Sequence, residues 1–488
     1  MDYQSLVSAI QQFWPHLVGA VTLIVALLAS AHVVLYKRDT RSAIGWVGII
    51  GLVPLLGTLL YIMFGINRIR RRARTLRGNA EPIDFEIKLP ADSEQLLLKS
   101  LGTRADPLLP LEAAVTRITR QGLVGGNLIT ALHSGDEAYP QMIAAIEQAR
   151  TSVTLCTYIF NNDRAGAQFV EALANAVKRG VQVRVIVDAI GARYTWPTII
   201  GPLERAGVPV ARFLPRLLPG WFAYANLRSH RKILVVDGAL GFTGGFNIRE
   251  GHSHRFAPKY YIADMHFRLE GPVVAQLQEV FAEDWEFCAD EELTGPEWFP
   301  ELEPCGKTLA RGISSGPDAD HDRLRLTLLS ALSCAQSNVC IITPYFLPDA
   351  ALVTALDVAA LRGVQVDIIL PEENNLAMVK WASTAMLWQV LERGCRVWLS
   401  PPPFDHTKLM LIDGLWVLFG SGNWDPRSLR LNFEFDVECY DASLAAGLEN
   451  YALTKRNAAR RVKLEDVDGR PLPIRLRDGV ARLLSPYL

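Results

Sequence analysis

The sequence has no C-x-x-C pair, and its seven cysteines are odd in number and scattered. That argues against a disulfide framework or a zinc ribbon and for small buried side chains. A G-x4-G-K-[ST] loop is also missing, so nothing marks a nucleotide phosphate cradle. Lysine and arginine are absent from the first 36 residues, which therefore lack the basic n-region of a cleaved signal peptide. With a formal net charge of -1 over 488 residues, there is no global attraction to nucleic acid either.

The charge that is present is unevenly placed. Residues 1–78 hold nine basic against two acidic residues, whereas residues 79–488 hold 41 against 49. Within the basic part lie two apolar runs, 17–36 and 43–66, joined by "KRDTR". At 1.5 Å per residue the first reaches roughly 30 Å, one hydrocarbon core. We expect a helical hairpin anchor over 1–78, with two transmembrane helices and an Arg-rich juxtamembrane segment. Pro54 and Gly57 mark a kink or a re-entrant segment, so the first run is the better span. Six arginines between 68 and 77 favour a cytoplasmic body. If both runs span, however, Lys37, Arg38 and Arg41 lie on the opposite face, and the other orientation stays open.

Beyond the anchor the chain resembles itself at a spacing of about 180 residues, as a duplicated domain does. "MIAAIEQARTSVTLCTYIF" from Met142 answers "LLSALSCAQSNVCIITPYF" from Leu328. "FVEALANAVKRGVQVRVIVD" from Phe169 answers "LVTALDVAALRGVQVDIILP" from Leu352. Helix-period segments stop at Gly180 and Gly363, and buried strands follow. Alternating strands and helices indicate an α/β fold with a largely parallel sheet. The expected domains are 79–295 and 296–488, linked through the proline-rich, acidic stretch 289–312.

Each copy closes on the same pattern, "SHRKILVVDG" from Ser229 and "DHTKLMLIDG" from Asp405. Side chains two apart share a strand face, so His230 projects with Lys232, and His406 with Lys408. Asp237-Gly238 and Asp413-Gly414 read as hairpin turns, with the aspartates shaping the turn rather than meeting substrate. A two-residue turn would pair Lys232 with Thr243, His230 with Gly245 and His406 with Ser421. The glycines of "TGGFN" and "GSGN" then leave room for a ligand. Asn247 and Asn423 each follow their histidine by 17 residues. An imidazole, an ammonium and a carboxamide from each half suit a phosphodiester.

This paired H-x-K-x4-D signature resembles that of the phospholipase D superfamily. The two apolar runs, "KRDTRSAIGW", "TPYFLPD", "GNWDPRSLRLNFE" and "RLLSPYL" resemble the bacterial cardiolipin synthases, over essentially the whole chain. The resemblance implies two tandem phospholipase D-like α/β/α domains related by a pseudo-two-fold axis behind a membrane anchor. It implies phosphatidyl transfer between two phosphatidylglycerol molecules through a phosphohistidine, with release of glycerol. Phospholipid substrates in the bacterial inner membrane follow from it, with no cofactor, metal or nucleic acid. The alternative is a membrane-anchored phospholipase D using water or another alcohol. His230 is expected as nucleophile and His406 as acid/base, although the residues alone do not rank them. Lys232, Lys408, Asn247 and Asn423 would stabilise the transition state. Each ring needs an orienting carboxylate, and we expect Asp264 beside His230 and Glu434 beside His406. Ser421, Arg427 and Ser428 are candidates for seating the phosphate. His252-x-His254 and His266 have no carboxylate or cysteine cluster beside them to make a metal site.

Overall fold

The computed structural model describes residues 3–37, 40–62, 93–214, 227–317 and 320–485, and its contacts divide into two units, Met1–Leu76 and Arg77–Leu488.

In the first unit, α1 (Tyr3–Tyr36) contains the apolar stretch Phe13–Tyr36, long enough to cross a bilayer. The second apolar run is not one helix. Its described part forms α2 (Thr40–Leu52) and α3 (Pro54–Leu60), broken at Val53 with φ -136° and ψ 76°. Pro54 lacks an N–H and sits at the first position of the new helix, so the α2 ladder stops there. The two helices double back on each other. The rings of Trp46 and Tyr61 lie 5.4 Å apart, whereas a straight helix would separate these positions by about 22 Å. Gly57 permits the close approach, because a Cβ there would fall 2.5 Å from the Ile49 carbonyl oxygen. The Tyr61 hydroxyl returns to within 2.8 Å of His32 Nδ1 on α1. Within the described residues the expected second span over 43–66 is thus two short helices that fold back on each other instead of one, and positions 63–66 lie outside the described residues.

The second unit is built on one mixed sheet. Its first half supplies β1 (Val124–Leu132), β2 (Ser152–Thr157), β3 (Gln182–Asp188), β4 (Val210–Phe213), β5 (Arg228–Ser229), β6 (Ile233–Val236), β7 (Leu240–Gly244) and β8 (His266–Glu270). The second half supplies β9 (Thr308–Ser315), β10 (Asn338–Ile342), β11 (Gln365–Pro371), β12 (Arg396–Ser400), β13 (Leu409–Ile412), β14 (Trp416–Gly420), β15 (Asn432–Tyr440) and β16 (Arg460–Val462). The order across the sheet is β16-β12-β11-β10-β13-β14-β15-β9-β1-β8-β7-β6-β2-β3-β4, with β5 pairing on β15.

The helices following β2 and β10 end as the sequence predicts, with Gly180 at φ 86° and Gly363 at φ 91°. Among the described strands, parallel pairing is nonetheless confined to β2-β3-β4, β10-β11-β12 and the short β5-β15 contact, with isolated parallel bridges outside them. The hairpins β6-β7 and β13-β14 and the central strands pair antiparallel, so "largely parallel" is corrected to mixed. The linker expected to reach Gly312 ends earlier. β9 is buried along its whole length and joins β15 to β1 at the middle of the sheet. One core crosses the junction of the halves, with Phe267 stacked on Phe419 at a centroid distance of 3.5 Å. Each such buried ring contributes about 1.5–3 kcal/mol. The two halves thus fold as one body.

Candidate active site

Both Asp-Gly turns place two consecutive residues in the left-handed region, Asp237 at φ 52° with Gly238 at 62°, and Asp413 at 54° with Gly414 at 64°. A third residue then joins each turn. Val236 pairs with Leu240 and Ile412 with Trp416, one residue beyond the expected register. Thr243 therefore faces Ile233 instead of Lys232. Asp237 accepts the N–H groups of Arg150, Thr151 and Ser152, and Asp413 those of Gln336, Ser337 and Asn338, fixing the start of β2 and β10.

Neither histidine lies opposite its own hairpin's return strand. The His230 N–H donates to the Phe433 carbonyl at the start of β15, and the His406 N–H to the Ala263 carbonyl just before β8, at 2.8 and 2.7 Å. Each motif is thereby stitched to the other half of the chain. The next residue on each borrowed segment is a fully buried carboxylate: Glu434 Oε2 lies 2.8 Å from His230 Nδ1, and Asp264 Oδ2 lies 2.7 Å from His406 Nδ1. The expected partnership is thus reversed. The physical reason is the pair of parallel bridges, β5 on β15 and Ala263 on Asp405, which exchange backbone between halves.

Because Nδ1 of each ring is engaged, Nε2 is the nitrogen left for the cavity that both rings line. This cavity holds about 560 Å³ and is also lined by Asn247, Asn423, Arg427, Ser428, Arg228 and Arg249. Four sequence candidates, Asn247, Asn423, Arg427 and Ser428, thus meet the two histidines. Asn247 is fixed by the Ile159 N–H on its Oδ1, and Asn423 by donating from Nδ2 to Ser428 Oγ. Lys232 and Lys408 are buried beside their histidines and are not among the residues that line the cavity. Lys232 Nζ donates to the His230 carbonyl at 2.6 Å, while Lys408 Nζ contacts both the His406 carbonyl and His406 Nδ1. Ser421 does not line the cavity. Its hydroxyl donates to Glu434 at 2.6 Å, so it braces the carboxylate instead of seating phosphate.

Burial is the leading electrostatic influence here. It lowers both imidazoles, His406 strongly, with the ammonium groups of Lys408 and Lys232 adding to the effect. It brings Lys232 down to about 7 and Asp264 up to about 6. Glu434 is just as buried, yet His230 and Lys232 hold its carboxyl below the ordinary range. A neutral ring backed by a carboxylate suits nucleophilic attack, and a ring that takes up a proton beside a bound anion suits proton transfer. The sequence reading missed Tyr158 and Tyr345, whose rings stand 5.2 Å from His230 and 5.9 Å from His406. Their signal was there: each is the aromatic just past its repeat's first strand.

The glycine of "GGFN" makes room for a protein group, not a ligand. A Cβ on Gly245 would stand 2.1 Å from Asp264 Oδ1. Gly245→Ala is expected to push that carboxylate off His406 and to lower turnover by about 10²-fold, as displacement of a catalytic ring by an ångström does. Steady-state assay of the variant, with folding checked by circular dichroism, measures it.

His252 and His266 stack on Phe246 at 5.0 and 5.3 Å, and burial takes both down to about 3. Between that value and the unfolded 6.5, the unfolded chain binds a proton that the folded one refuses. Each ring therefore subtracts stability as pH falls below 6.5. His266→Phe is expected to gain about 2 kcal/mol over the wild type between pH 7 and pH 5 in chemical denaturation.

The chain is similar to known proteins over most of its length. Residues 142–285 and 328–454 match the family described as cardiolipin synthase, PLD-like domain, and residues 24–65 match the phospholipase D-nuclease N-terminal family. Phosphatidylserine synthase of Haemophilus influenzae shares the fold, with a TM-score of 0.59 at 16% identity, over 78% of this chain and 100% of that one. Fold and paired motif define a phospholipase D-like protein. A cardiolipin synthase of Geobacillus sp. (strain WCH70) is 32% identical over 93% of this chain and 90% of its own. The major cardiolipin synthase of Bacillus subtilis is 30% identical over 95% and 97%. The chain belongs to the cardiolipin synthase family.

Proposed function

We propose that the protein is a cardiolipin synthase that transfers a phosphatidyl group from one phosphatidylglycerol to another. The observation that carries this reading is the single cavity lined by two imidazoles, each backed at Nδ1 by the other half's carboxylate. His230 Nε2 attacks the phosphorus, and the bond from phosphorus to the glycerol oxygen breaks. His406, which carries a proton on Nε2 once the anionic phosphodiester is bound, gives that proton to the oxygen, and glycerol leaves. The hydroxyl of a second phosphatidylglycerol then loses its proton to His406 and attacks, and the bond from phosphorus to His230 breaks. One phosphodiester replaces another, so the exchange is close to isoenergetic and needs no nucleotide. Lys232, Lys408, Asn247 and Asn423, with Arg427 and Ser428, are the groups that would stabilise the charge on the pentacovalent oxygens. The palindromic strand order supports a pseudo-two-fold relation between the phospholipase D-like halves 79–295 and 296–488. The test is to supply labelled phosphatidylglycerol to the purified protein. Cardiolipin and glycerol are expected, and phosphatidic acid alone would favour a hydrolase.

The doubled-back hairpin also supports a cytoplasmic body. A chain that enters beside the end of α1 and returns to His32 leaves on the face it entered. The basic residues on either flank of the hairpin would then share one side, and positive charge would mark that side as cytoplasmic. Protease added to inside-out vesicles should cut the body, and protection there would reverse the orientation.

A further inference from the structure

The helix Leu472–Leu483 wears its apolar stripe outward. Its inner face packs on the helix Ala377–Thr384: Ala481 joins Leu347, Val379 and Ala382, and the Arg477 guanidinium lies 4.3 Å from the centroid of the Trp381 ring. Leu472, Leu476, Val480 and Leu483 follow helical spacing on the other side and are 66, 61, 60 and 72% exposed. A helix of a globular body turns such a stripe towards the core. Here nothing among the described residues of the second unit covers it.

Two further observations say what does. First, the stripe is flanked by cation. Arg470, Arg475 and Arg482 line a depression of about 250 Å³ together with Trp388 and one carboxylate, Asp468. Arg470 and Arg477 are ion-paired to Asp478, but Arg475 and Arg482 have no carboxylate partner among the described residues. Second, the apolar surface continues to the active site. Exposed Leu376 and Met378 adjoin the same helix pair, and Leu376 and Val379 line the cavity that holds His230 and His406.

We propose that Leu472–Leu483 seats the catalytic unit on an anionic phospholipid leaflet. The four apolar side chains enter the acyl boundary, and Arg475 and Arg482 meet lipid phosphates. The cavity mouth is thereby held against the layer that carries its substrate, which raises the effective substrate concentration there. The inference rests on the reading that the substrates are bilayer phospholipids.

The full-length protein, spin-labelled at Leu476→Cys in a background without accessible thiols, is placed in nanodiscs containing phosphatidylglycerol. The label is expected to be open to oxygen and shielded from an aqueous nickel chelate. In a second arm, Leu476→Gln/Val480→Gln is expected to lose at least about tenfold in turnover on bilayer substrate while staying within about twofold on a soluble short-chain phosphatidylglycerol. A label exposed to water overturns the proposal, as does spin coupling between chains, which would make the stripe an interface with a second copy. Equal loss on both substrates would assign the helix to packing. The label reads out lipid contact even in inactive protein, so failure of the seat is distinguishable from failure of the proposed activity.

Discussion

His230→Gln and His406→Gln are each expected to lower phosphatidyl transfer by at least about 10⁴-fold, the loss seen when a member of a concerted catalytic set is removed. Glutamine is the right replacement because of what stands behind each ring. Glu434 and Asp264 are fully buried, and alanine would leave a carboxylate with no partner on that side, a cost of about 3 kcal/mol or more. A glutamine amide can still donate to the carboxylate while offering neither a nucleophile nor a titrating group. Glu434 keeps further support from Ser421 and Asn432. The melting temperature of either variant should therefore stay close to wild type. Turnover within tenfold of wild type in either variant would remove that histidine from the mechanism.

The second large effect tests the exchange of partners between halves. With a phosphatidyl ester of p-nitrophenol the leaving group needs no proton, so formation of the covalent intermediate depends on the nucleophile alone. In a His406→Gln background, Glu434→Gln is expected to slow release of p-nitrophenol by about 10²–10⁴-fold, because His230 loses the group that sets its tautomer. Asp264→Asn in the same background should change it by less than about threefold, since Asp264 then orients a ring that is absent. The pairing expected from sequence predicts the reverse.

That reversal shows where the sequence stops being legible. His230, Lys232, His406 and Lys408 could be read because the motif occurs twice and strand parity fixes which side chains point together. Asp264 and Glu434 could be picked as carboxylates of the right kind. Their partners could not, because backbone exchange through Phe433 and Ala263 depends on strand order, which no local spacing encodes. The register was missed by one residue for a local reason: Ala239 and Leu415 join turns that the Asp-Gly pairs alone would close in two. Gly245 was legible as a position demanding space, yet its occupant, Asp264, comes from 19 residues downstream. In the anchor, composition counted two apolar runs, while Pro54 and Gly57 decided that the second doubles back.

Two imidazoles serving one phosphorus atom allow one covalent phosphatidyl group per chain. The direct measurement is the amplitude of the p-nitrophenol burst in Asp264→Asn, where resolution by His406 is slow, with the label then mapped by peptide analysis. The account predicts one equivalent per chain, on the peptide containing His230. Two equivalents, one on each histidine, would mean two independent sites and would contradict it.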